Sequence, residues 1–296
     1  MLSHSTKFYT SSKRTDLRPK KSLSQNFLID DDVAYRIIES LDLSPEECVV
    51  ELGAGRGALT RLLFKETPRV VAIEMDRRFC NELREKFGRF EQFQLIEKDM
   101  LKFPLEQVYR ECGEERFKVV GNLPYHITGP ILFKLIDERE YSHFAVLMMQ
   151  LEVAERLAAD PGGKQYGIPS VITQMYGDPE ILFHVPPEAF RPRPKVQSAV
   201  VKISWRAEPS VSVSNEKLYF QIVKRCFSQR RKMIRNTLTG LLDIHKENLP
   251  VIESESSVAL SRRPETLSLE EFARLTTAVE NTQKNNRSRI DPKNMR

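Results

Sequence analysis

The run CVVELGAGRGALT, residues 48–60, places a glycine-rich turn between two regular elements. CVVEL (48–52) is a short apolar run of the kind that forms a buried strand, and ALTRLLFKE (58–66) carries leucines on one helical face. The glycines of GAGRG (53–57) permit a tight turn and a close approach of the backbone to a ligand. We therefore predict a strand–turn–helix unit that binds a ligand at the turn.

The same alternation of apolar runs and helical patterns continues downstream of this unit. Further strands are predicted at 70–75, 93–98, 117–122, 144–150, 181–185 and 196–205. Further helices are predicted at 77–87 and 130–138. Strands that alternate with helices form parallel sheets covered on both faces. We therefore predict an α/β protein with a mostly parallel, seven-stranded, Rossmann-like sheet.

The pattern changes after Trp205. Segment 216–242 carries apolar residues at helical spacing, and SLEEFARL (268–275) opens with a capping box that starts another helix. The stretch RAEPSVSVS (206–214) between the two regions is typical of a linker. The predicted organisation is a basic flexible arm at 1–20, an α/β domain at 21–205, a small all-helical domain at 214–280 and a basic flexible tail at 281–296.

Composition limits the compartment and the partners of the chain. Its 296 residues are 40% hydrophobic, and no apolar run is long enough for a membrane span. The four cysteines are scattered without a CxxC pair, so we expect neither a metal site nor a disulfide framework, and a cytoplasmic location. The Ser/Thr-rich, basic segment 1–20 fits a disordered arm or, alternatively, an organellar transit peptide.

Positive charge is concentrated at both termini and in the stretch 224–235, which contains no acid. Such a concentration suits a polyphosphate partner, although a solvated helix face has the same composition. On an amphipathic helix, these residues are predicted to contact the phosphates of such a partner, as in nucleic-acid binding. They are Lys224, Arg225, Arg230, Arg231, Lys232 and Arg235.

Two features of the glycine turn favour S-adenosylmethionine over a dinucleotide. The spacing is GxGxG rather than GxGxxG, and Glu51 precedes the turn, where it would repel a pyrophosphate and attract a sulfonium or amino group. Glu74 ends the second strand, where an acid commonly binds ribose hydroxyls, and Asp99 after the third could accept from the adenine amine. The predicted cofactor contacts are Glu51, Gly53, Gly55, Gly57, Glu74, Met75, Asp99, Met100 and Asn122.

The fourth strand ends in GNLPY (121–125). Methyl transfer to adenine is an attack by a poorly nucleophilic exocyclic amine, so the site must orient that amine with hydrogen-bond acceptors. The Asn122 side-chain oxygen and the Leu123 backbone carbonyl can accept from it. Pro124 helps to fix the turn, and Tyr125 offers a face on which the base can stack. These four residues are predicted to be catalytic, with no strong general base.

The order of these motifs resembles that of the KsgA-type ribosomal RNA adenine dimethyltransferases, a family that also contains the Erm resistance enzymes and mitochondrial relatives. The matching strings run through nearly the whole chain. They are KSLSQNFL (21–28), ELGAGRGALT (51–60), Glu74, Asp99, NLPY (122–125), QYGIPSVITQ (165–174), VPPEAFRPRPKVQSAVV (185–201), CFSQRRKMIRNTL (226–238) and RRPETLSLEEFARL (262–275). Ser24, Ala54 and His126 depart from the family's usual residues, and none of them is a named catalytic group.

The resemblance implies a class I S-adenosylmethionine-dependent methyltransferase. It implies dimethylation of the N6 amines of two adjacent adenines in the 3′-terminal hairpin loop of small-subunit (16S) ribosomal RNA, during small-subunit biogenesis. Gln25, Asn26 and Leu28 would line the methionine end of the cofactor, and Phe190 would stack on the target adenine opposite Tyr125. The implied partner is small-subunit RNA in a pre-30S particle, bound by a monomer without a metal or a membrane.

Three alternatives remain open at this point. The chain could act on large-subunit RNA, as Erm enzymes do. It could serve chiefly as a binding factor in ribosome assembly or transcription, with catalysis secondary. It could also methylate DNA or a protein amine, although the match of the C-terminal segments to the family would then be unexplained.

Overall fold

The computed structural model describes residues 26–66, 69–239 and 244–290, with side chains described up to residue 286. Within these ranges the strands are β1 (Phe27–Leu28), β2 (Cys48–Leu52), β3 (Arg69–Glu74), β4 (Phe93–Glu97), β5 (Phe117–Asn122), β6 (Ser142–Gln150), β7 (Gly177–Val185), β8 (Phe190–Arg191) and β9 (Ser198–Trp205). The helices are α1 (Asp31–Glu39), α2 (Thr60–Glu66), α3 (Arg77–Phe87), α4 (Leu105–Glu111), α5 (Thr128–Asp137), α6 (Leu151–Leu157), α7 (Ile168–Tyr176), α8 (Glu216–Ser228), α9 (Ile234–Leu238), α10 (Leu249–Ser256) and α11 (Leu269–Ile290). The predicted arm at 1–20 and Gln25 lie outside the described residues.

Seven strands form one sheet in the order β4-β3-β2-β5-β6-β9-β7. The first five are mutually parallel, and β9 runs antiparallel to both of its neighbours. The chain winds from β2 towards β4 on one side and from β5 towards β7 on the other. The carboxyl ends of β2 and β5 are therefore adjacent at the point where the strand order reverses, which is where ligands bind in open α/β sheets. The predicted mostly parallel sheet of seven strands is confirmed.

Helices cover both faces of the sheet, because successive side chains of a strand point to opposite sides. Val49 of β2 packs in a buried cluster that contains side chains of α1 and α2. Its neighbour Val50 packs in a second cluster that contains side chains of α4 and α5. Strand β2 is buried along its whole length, as expected for a central parallel strand.

The C-terminal helices share a core with the sheet. Tyr166 meets Phe227 of α8 edge-on at a centroid distance of 6.0 Å, and Tyr176 of α7 lies 6.2 Å from Phe220 of α8. The N–H of Arg206 in the linker donates to the Tyr176 carbonyl at 2.9 Å. The buried side chains of both regions form one continuous cluster. The two predicted domains are therefore joined by packing as well as by the linker.

The helical region differs from the sequence pattern in two details. The segment 216–242 is interrupted, because α8 ends at Ser228 and α9 begins at Ile234, whose N–H donates to the Arg262 carbonyl at 2.9 Å. Helix α11 continues to Ile290, so residues 281–290 of the predicted flexible tail are helical. No helix among the described residues is long and apolar enough to cross a membrane.

Candidate active site

The turn after β2 lines a cavity through Gly53, Ala54, Gly55 and Arg56. Gly53 and Gly55 have φ angles of +71° and +53°, in the left-handed region that favours glycine. The Gly53 N–H donates to the carbonyl of Ile73 at 2.9 Å, and the Gly55 N–H donates to Oε2 of Glu74 at 2.9 Å. Both bonds reach β3, so the turn has a fixed position relative to the acid that ends this strand.

A cavity of about 690 Å³ lies at the carboxyl ends of the parallel strands. This volume falls in the range of about 300–1,000 Å³ that is usual for small-molecule sites. The cavity is lined by predicted site residues from five separate parts of the chain. These are Asn26, Leu28, Gly53, Gly55, Glu74, Met75, Asp99, Met100, Asn122, Leu123, Pro124 and Tyr125. Ten of the twelve end or follow strands β2 to β5 and meet because strands that run parallel end at the same edge of the sheet, whereas Asn26 and Leu28 come from the β1 segment.

Two carboxylates on the cavity wall are held by backbone donors. Glu74 is only 7% exposed, and its Oε1 accepts from the Asp76 N–H at 2.7 Å while its Oε2 accepts from the turn. Burial raises the pKa of Glu74 above its ordinary value, although the backbone donors oppose that shift. Oδ1 of Asp99 accepts from the Leu101 N–H at 3.0 Å. Because a carboxylate has about four acceptor positions, both acids can still accept from hydroxyl or amino groups of a ligand.

The amide of Asn122 is oriented by its own protein contact. Its Nδ2 donates to the backbone carbonyl of Asn26 at 3.3 Å, which leaves Oδ1 as the group that can accept from a ligand. In the next residues, the Leu123 N–H donates to the Met148 carbonyl at 3.1 Å, and the Pro124 carbonyl accepts from a backbone N–H at 3.1 Å. The Pro124 carbonyl is thus engaged within the fold, and the Asn122 side chain and the Leu123 carbonyl are the acceptors suited to an amine.

Tyr125 is held through its hydroxyl. The oxygen lies 2.8 Å from Oγ of Ser198, a fully buried residue at the start of β9. Burial raises the pKa of Tyr125 above its ordinary value, although the contact with Ser198 opposes that shift. Ser198 was not among the predicted site residues, because its partner lies 73 positions away and no spacing signals the contact.

Other residues line the cavity without having been predicted as site residues. The ring of Phe27 packs edge-on against Phe79 at 5.2 Å, and the Arg56 guanidinium lies 5.2 Å from the Phe27 ring centroid. Phe27 stands between the predicted residues Asn26 and Leu28, so the sequence contained a signal for it, whereas Phe79 in α3 offered none. The full set is Phe27, Ile29, Ala54, Arg56, Ala58, Phe79, Leu101, His126, Ile127, Arg191 and Pro192.

Glu51 and Gly57, which were also predicted as cofactor contacts, are not among the residues that line the cavity. Glu51 is 2% exposed and accepts from Oγ1 of Thr60 at 2.5 Å, at the start of α2. Burial raises the pKa of Glu51 to about 8. Gly57 has φ +81°, and a Cβ there would lie 2.7 Å from the Phe87 ring, so it serves packing onto α3.

Phe190, which was predicted to stack on the target adenine, is likewise not among the lining residues. Its side chain is fully buried and packs in the cluster that contains Leu28, its partner in the β1–β8 pairing. The next two residues, Arg191 and Pro192, line the cavity instead. Side chains alternate across a strand, so directing Phe190 into the core turns Arg191 outward. Phe190 is a core residue in this structure.

The six basic residues predicted to contact RNA fall into two groups. Nε of Arg225 donates to the Thr237 carbonyl at 3.0 Å, and Arg230 donates to the Gly163 carbonyl at 3.1 Å. Both side chains therefore form hydrogen bonds within the protein. The other four are exposed on and after α8. They are Lys224, Arg231, Lys232 and Arg235.

The strand order, the glycine turn and the carboxylates at the strand ends define a class I S-adenosylmethionine-dependent methyltransferase. A family model described as ribosomal RNA adenine dimethylase matches residues 17–278, and the chain belongs to this family. The predicted fold class and family are confirmed.

Named relatives agree with this assignment. The chain is 43% identical over 265 residues to Ribosomal RNA small subunit methyltransferase A of Bacillus cytotoxicus, covering 88% of this chain and 91% of the relative. Its counterpart from Alkaliphilus metalliredigens is 40% identical over 264 residues, covering 88% and 92%.

Among solved structures, the 23S rRNA methyltransferase ErmE has a TM-score of 0.66 and 27% identity, covering 86% of this chain and 100% of that one. A dimethyladenosine transferase from Plasmodium falciparum has a TM-score of 0.70 and 24% identity, covering 87% and 98%. The second likeness shows a shared fold.

Proposed function

We propose that this protein uses S-adenosylmethionine to dimethylate the N6 amines of two adjacent adenines in the 3′-terminal hairpin loop of small-subunit ribosomal RNA, during small-subunit biogenesis. The observation that carries the proposal is the cavity in which the glycine turn and its acids share a wall with Asn122–Tyr125. The choice of the small subunit is supported by relatives at 40% and 43% identity named as small-subunit enzymes, against 27% for the 23S enzyme.

The cofactor end of the cavity fits the proposed methyl donor. Glycine suits position 53, since a Cβ there would lie only 3.1 Å from the Met100 side chain. Glu74 and Asp99 supply acceptors for ribose hydroxyls and an adenine amine, and the exposed Met75 offers an apolar surface for a base. When bound, S-adenosylmethionine supplies a methyl group that its sulfonium makes electrophilic.

The other end of the cavity fits the acceptor base. Oδ1 of Asn122 and the Leu123 carbonyl accept from the exocyclic amine, which directs the nitrogen lone pair and relieves positive charge as the N–C bond forms. The ring of Tyr125 offers a flat face for the base, and its bond to Ser198 holds that ring in place. The proton leaves to solvent after transfer, so no side chain has to act as a strong base.

The exposed basic residues Lys224, Arg231, Lys232 and Arg235 are proposed to contact phosphates of the RNA. The target adenine must leave its stack to enter the cavity, and this costs less in a hairpin loop than in a duplex. We further propose that the protein acts as a monomer on a pre-30S particle in the cytoplasm.

The test is incubation of the purified protein with labelled S-adenosylmethionine and small subunits from a strain that lacks the modification. Label is expected on two adjacent adenines near the 3′ end of the small-subunit RNA, mapped by primer extension. Label on large-subunit RNA, offered in a parallel reaction, would support the Erm-type activity instead.

A complementation experiment separates catalysis from a binding role. An Asn122→Ala variant is expected to leave both the RNA modification and the growth defect of a deletion strain uncorrected. The matched variant Asn236→Ala, which changes an exposed asparagine of α9, should correct both. Full correction of growth by Asn122→Ala, with the RNA unmethylated, would show that binding is the main role.

A further inference from the structure

Two cysteines that are distant in the sequence meet at the amino ends of the strands, on the edge of the sheet opposite to the cavity. Cys48 is the first residue of β2, and Cys112 directly follows α4, 64 positions later. Their sulfur atoms are 2.7 Å apart. Non-bonded carbon atoms prefer a separation of about 3.5–4.0 Å, and sulfur is larger than carbon. A disulfide bond is about 2.05 Å long. The two sulfurs are thus closer than an ordinary packing contact and need little movement to bond.

The backbone at both cysteines is held by hydrogen bonds to neighbouring residues. Cys48 is paired in register with Arg69 of β3. The N–H of Cys112 donates to the Val108 carbonyl at 2.8 Å, and the following Gly113 N–H donates to the Arg110 carbonyl at 3.2 Å. Gly113 has φ +80°, which ends α4 in the left-handed conformation that glycine accepts without strain. The geometry of the pair is therefore set by a strand and by a helix end, not by a loose loop.

The two thiols differ in access and reactivity. Cys48 is buried and Cys112 is half-buried, so an external reagent reaches Cys112 first. The hydrogen bond between the two thiols lowers the pKa of Cys112, and the charge of Arg69 acts in the same direction while burial opposes both. A lowered pKa increases the thiolate fraction, and the thiolate is the nucleophile in disulfide exchange.

The remaining cysteines do not share these features. Cys80 and Cys226 are both buried, and for each of them burial raises the pKa to about 11. A metal is not the explanation for the close pair, because no group of three or more possible ligands occurs in the described part of the chain. The pair of Cys48 and Cys112 is thus singled out by proximity, access and charge together.

We propose that Cys48 and Cys112 form a reversible disulfide on exposure to a low-molecular-weight disulfide such as oxidised glutathione. The Cys112 thiolate attacks one sulfur of the oxidant and releases one thiolate. Cys48 loses its proton to solvent and attacks the Cys112 sulfur, which releases the second small thiol. Two cysteine thiols are oxidised to one disulfide, and one oxidant disulfide is reduced to two thiols. The new bond closes the loop between residues 48 and 112.

The bond should stabilise the fold and leave the active site unchanged. It removes loop-closure entropy from the unfolded chain, and it lies at the strand ends opposite to the cavity. Treatment of the full chain with oxidised glutathione is expected to lower the count of free thiols from four to two. A rise in Tm of about 5–10 °C is expected, reversed by dithiothreitol. A peptide map without reduction should contain one cross-linked pair that joins Cys48 to Cys112.

Variants separate the two steps of the reaction. In Cys48→Ser, Cys112 should retain the small thiol as a stable mixed disulfide, because the resolving thiol is absent. In the matched control Cys226→Ala, the cross-link should form as in the unmodified protein. Four free thiols after oxidation, a mixed disulfide that persists on Cys112 in the unmodified protein, or a cross-link to Cys80 or Cys226 would each overturn the proposal. The peptide map of the unmodified protein decides the matter even where a variant fails to fold.

Discussion

The two ends of strand β5 differ in what their side chains do, although they are only four residues apart. At the amino end, the buried Lys118 donates through Nζ to the Asp42 carbonyl at 2.6 Å and to Oε2 of Glu47 at 2.7 Å. At the carboxyl end, Asn122 uses its amide nitrogen for one protein contact and turns towards the cavity. The amino end is closed by side chains that satisfy each other, and the carboxyl end keeps acceptors for a ligand.

This contrast extends across the sheet. The carboxyl edge is built from turns in which glycine and proline limit side-chain bulk, while the amino edge carries an ion pair and a close pair of thiols. Parallel strands bring all carboxyl ends to one edge, so chemistry placed there meets in space, and stabilising contacts can accumulate at the opposite edge without disturbing it. Substitutions at the carboxyl edge should therefore reduce activity, and substitutions at the amino edge should reduce stability.

The largest effect is expected for Asn122→Ala. Removing an acceptor that acts on the charge developing on the amine should lower kcat by about 100- to 1,000-fold. The Tm should stay close to that of the unmodified protein. Asn236→Ala is the matched control and should keep full activity. Retention of most of the methyl-transfer rate by Asn122→Ala would break the assignment of the carboxyl edge as the catalytic one.

Lys118→Met tests the opposite end of the same strand. The variant leaves Glu47 without its cation and the Asp42 carbonyl without its donor, so the free energy of unfolding should fall by about 2–3 kcal/mol in urea titrations. The kcat of the folded protein should change by less than about two-fold, since Lys118 lies outside the cavity. Lys102→Met removes an exposed lysine and should leave both quantities unchanged. A large loss of kcat in Lys118→Met would contradict the separation of the two edges.

The Glu51→Gln variant tests whether the buried acid before the glycine turn contributes to the pH dependence of stability. The folded pKa of about 8 lies above the unfolded value of about 4.3, so the folded state binds more protons between these limits. Its contribution to stability is complete below pH 4 and is lost as the pH rises through 8, at up to about 1.4 kcal/mol per pH unit. Glutamine does not titrate, so the free energy of unfolding should fall less steeply with pH in this variant.

Urea titrations from pH 5 to pH 8 provide the measurement for Glu51→Gln. Glu46→Gln, which changes an exposed acid, should follow the pH dependence of the unmodified protein. A difference between Glu51→Gln and the unmodified protein that does not vary with pH would show that Glu51 is ionised in the fold.

The smallest effect is expected for the contact between Tyr125 and Ser198. Loss of one hydrogen bond that holds a stacking ring should lower kcat by about 3- to 10-fold and leave cofactor affinity unchanged. Ser198→Ala and Tyr125→Phe should have similar effects, and the double variant should be no worse than either, because all three lack the same bond. Ser198→Thr keeps a hydroxyl and should recover part of the rate. Additive losses in the double variant would show that the two residues act separately.

The sequence predicted the central strands and much of the cavity lining, because these features are encoded by residues that are adjacent in the chain. Strand β2, the glycine turn and Asn122–Tyr125 are contiguous strings whose apolar periodicity and turn residues can be read directly. The helices α1, α4, α6, α7 and α10 were not predicted. The helical spacing of apolar residues over 216–242 also gave no sign of the interruption between α8 and α9. Periodicity does not show the break after Ser228, because the carbonyl that receives the Ile234 N–H comes from Arg262, far along the chain.

What the sequence determined by itself was therefore the set of strand–turn–helix units, the polar groups at the strand ends and the family. The tertiary structure alone decided which of those groups line the cavity. Glu51 and Phe190 both lie within the sequence motifs, but their side chains are buried in the protein. It also brought together Tyr125 with Ser198 and Cys48 with Cys112, pairs 73 and 64 positions apart. Local strings specify backbone conformation, but side-chain direction and long-range contacts depend on how the strands align and pack, which no short string contains.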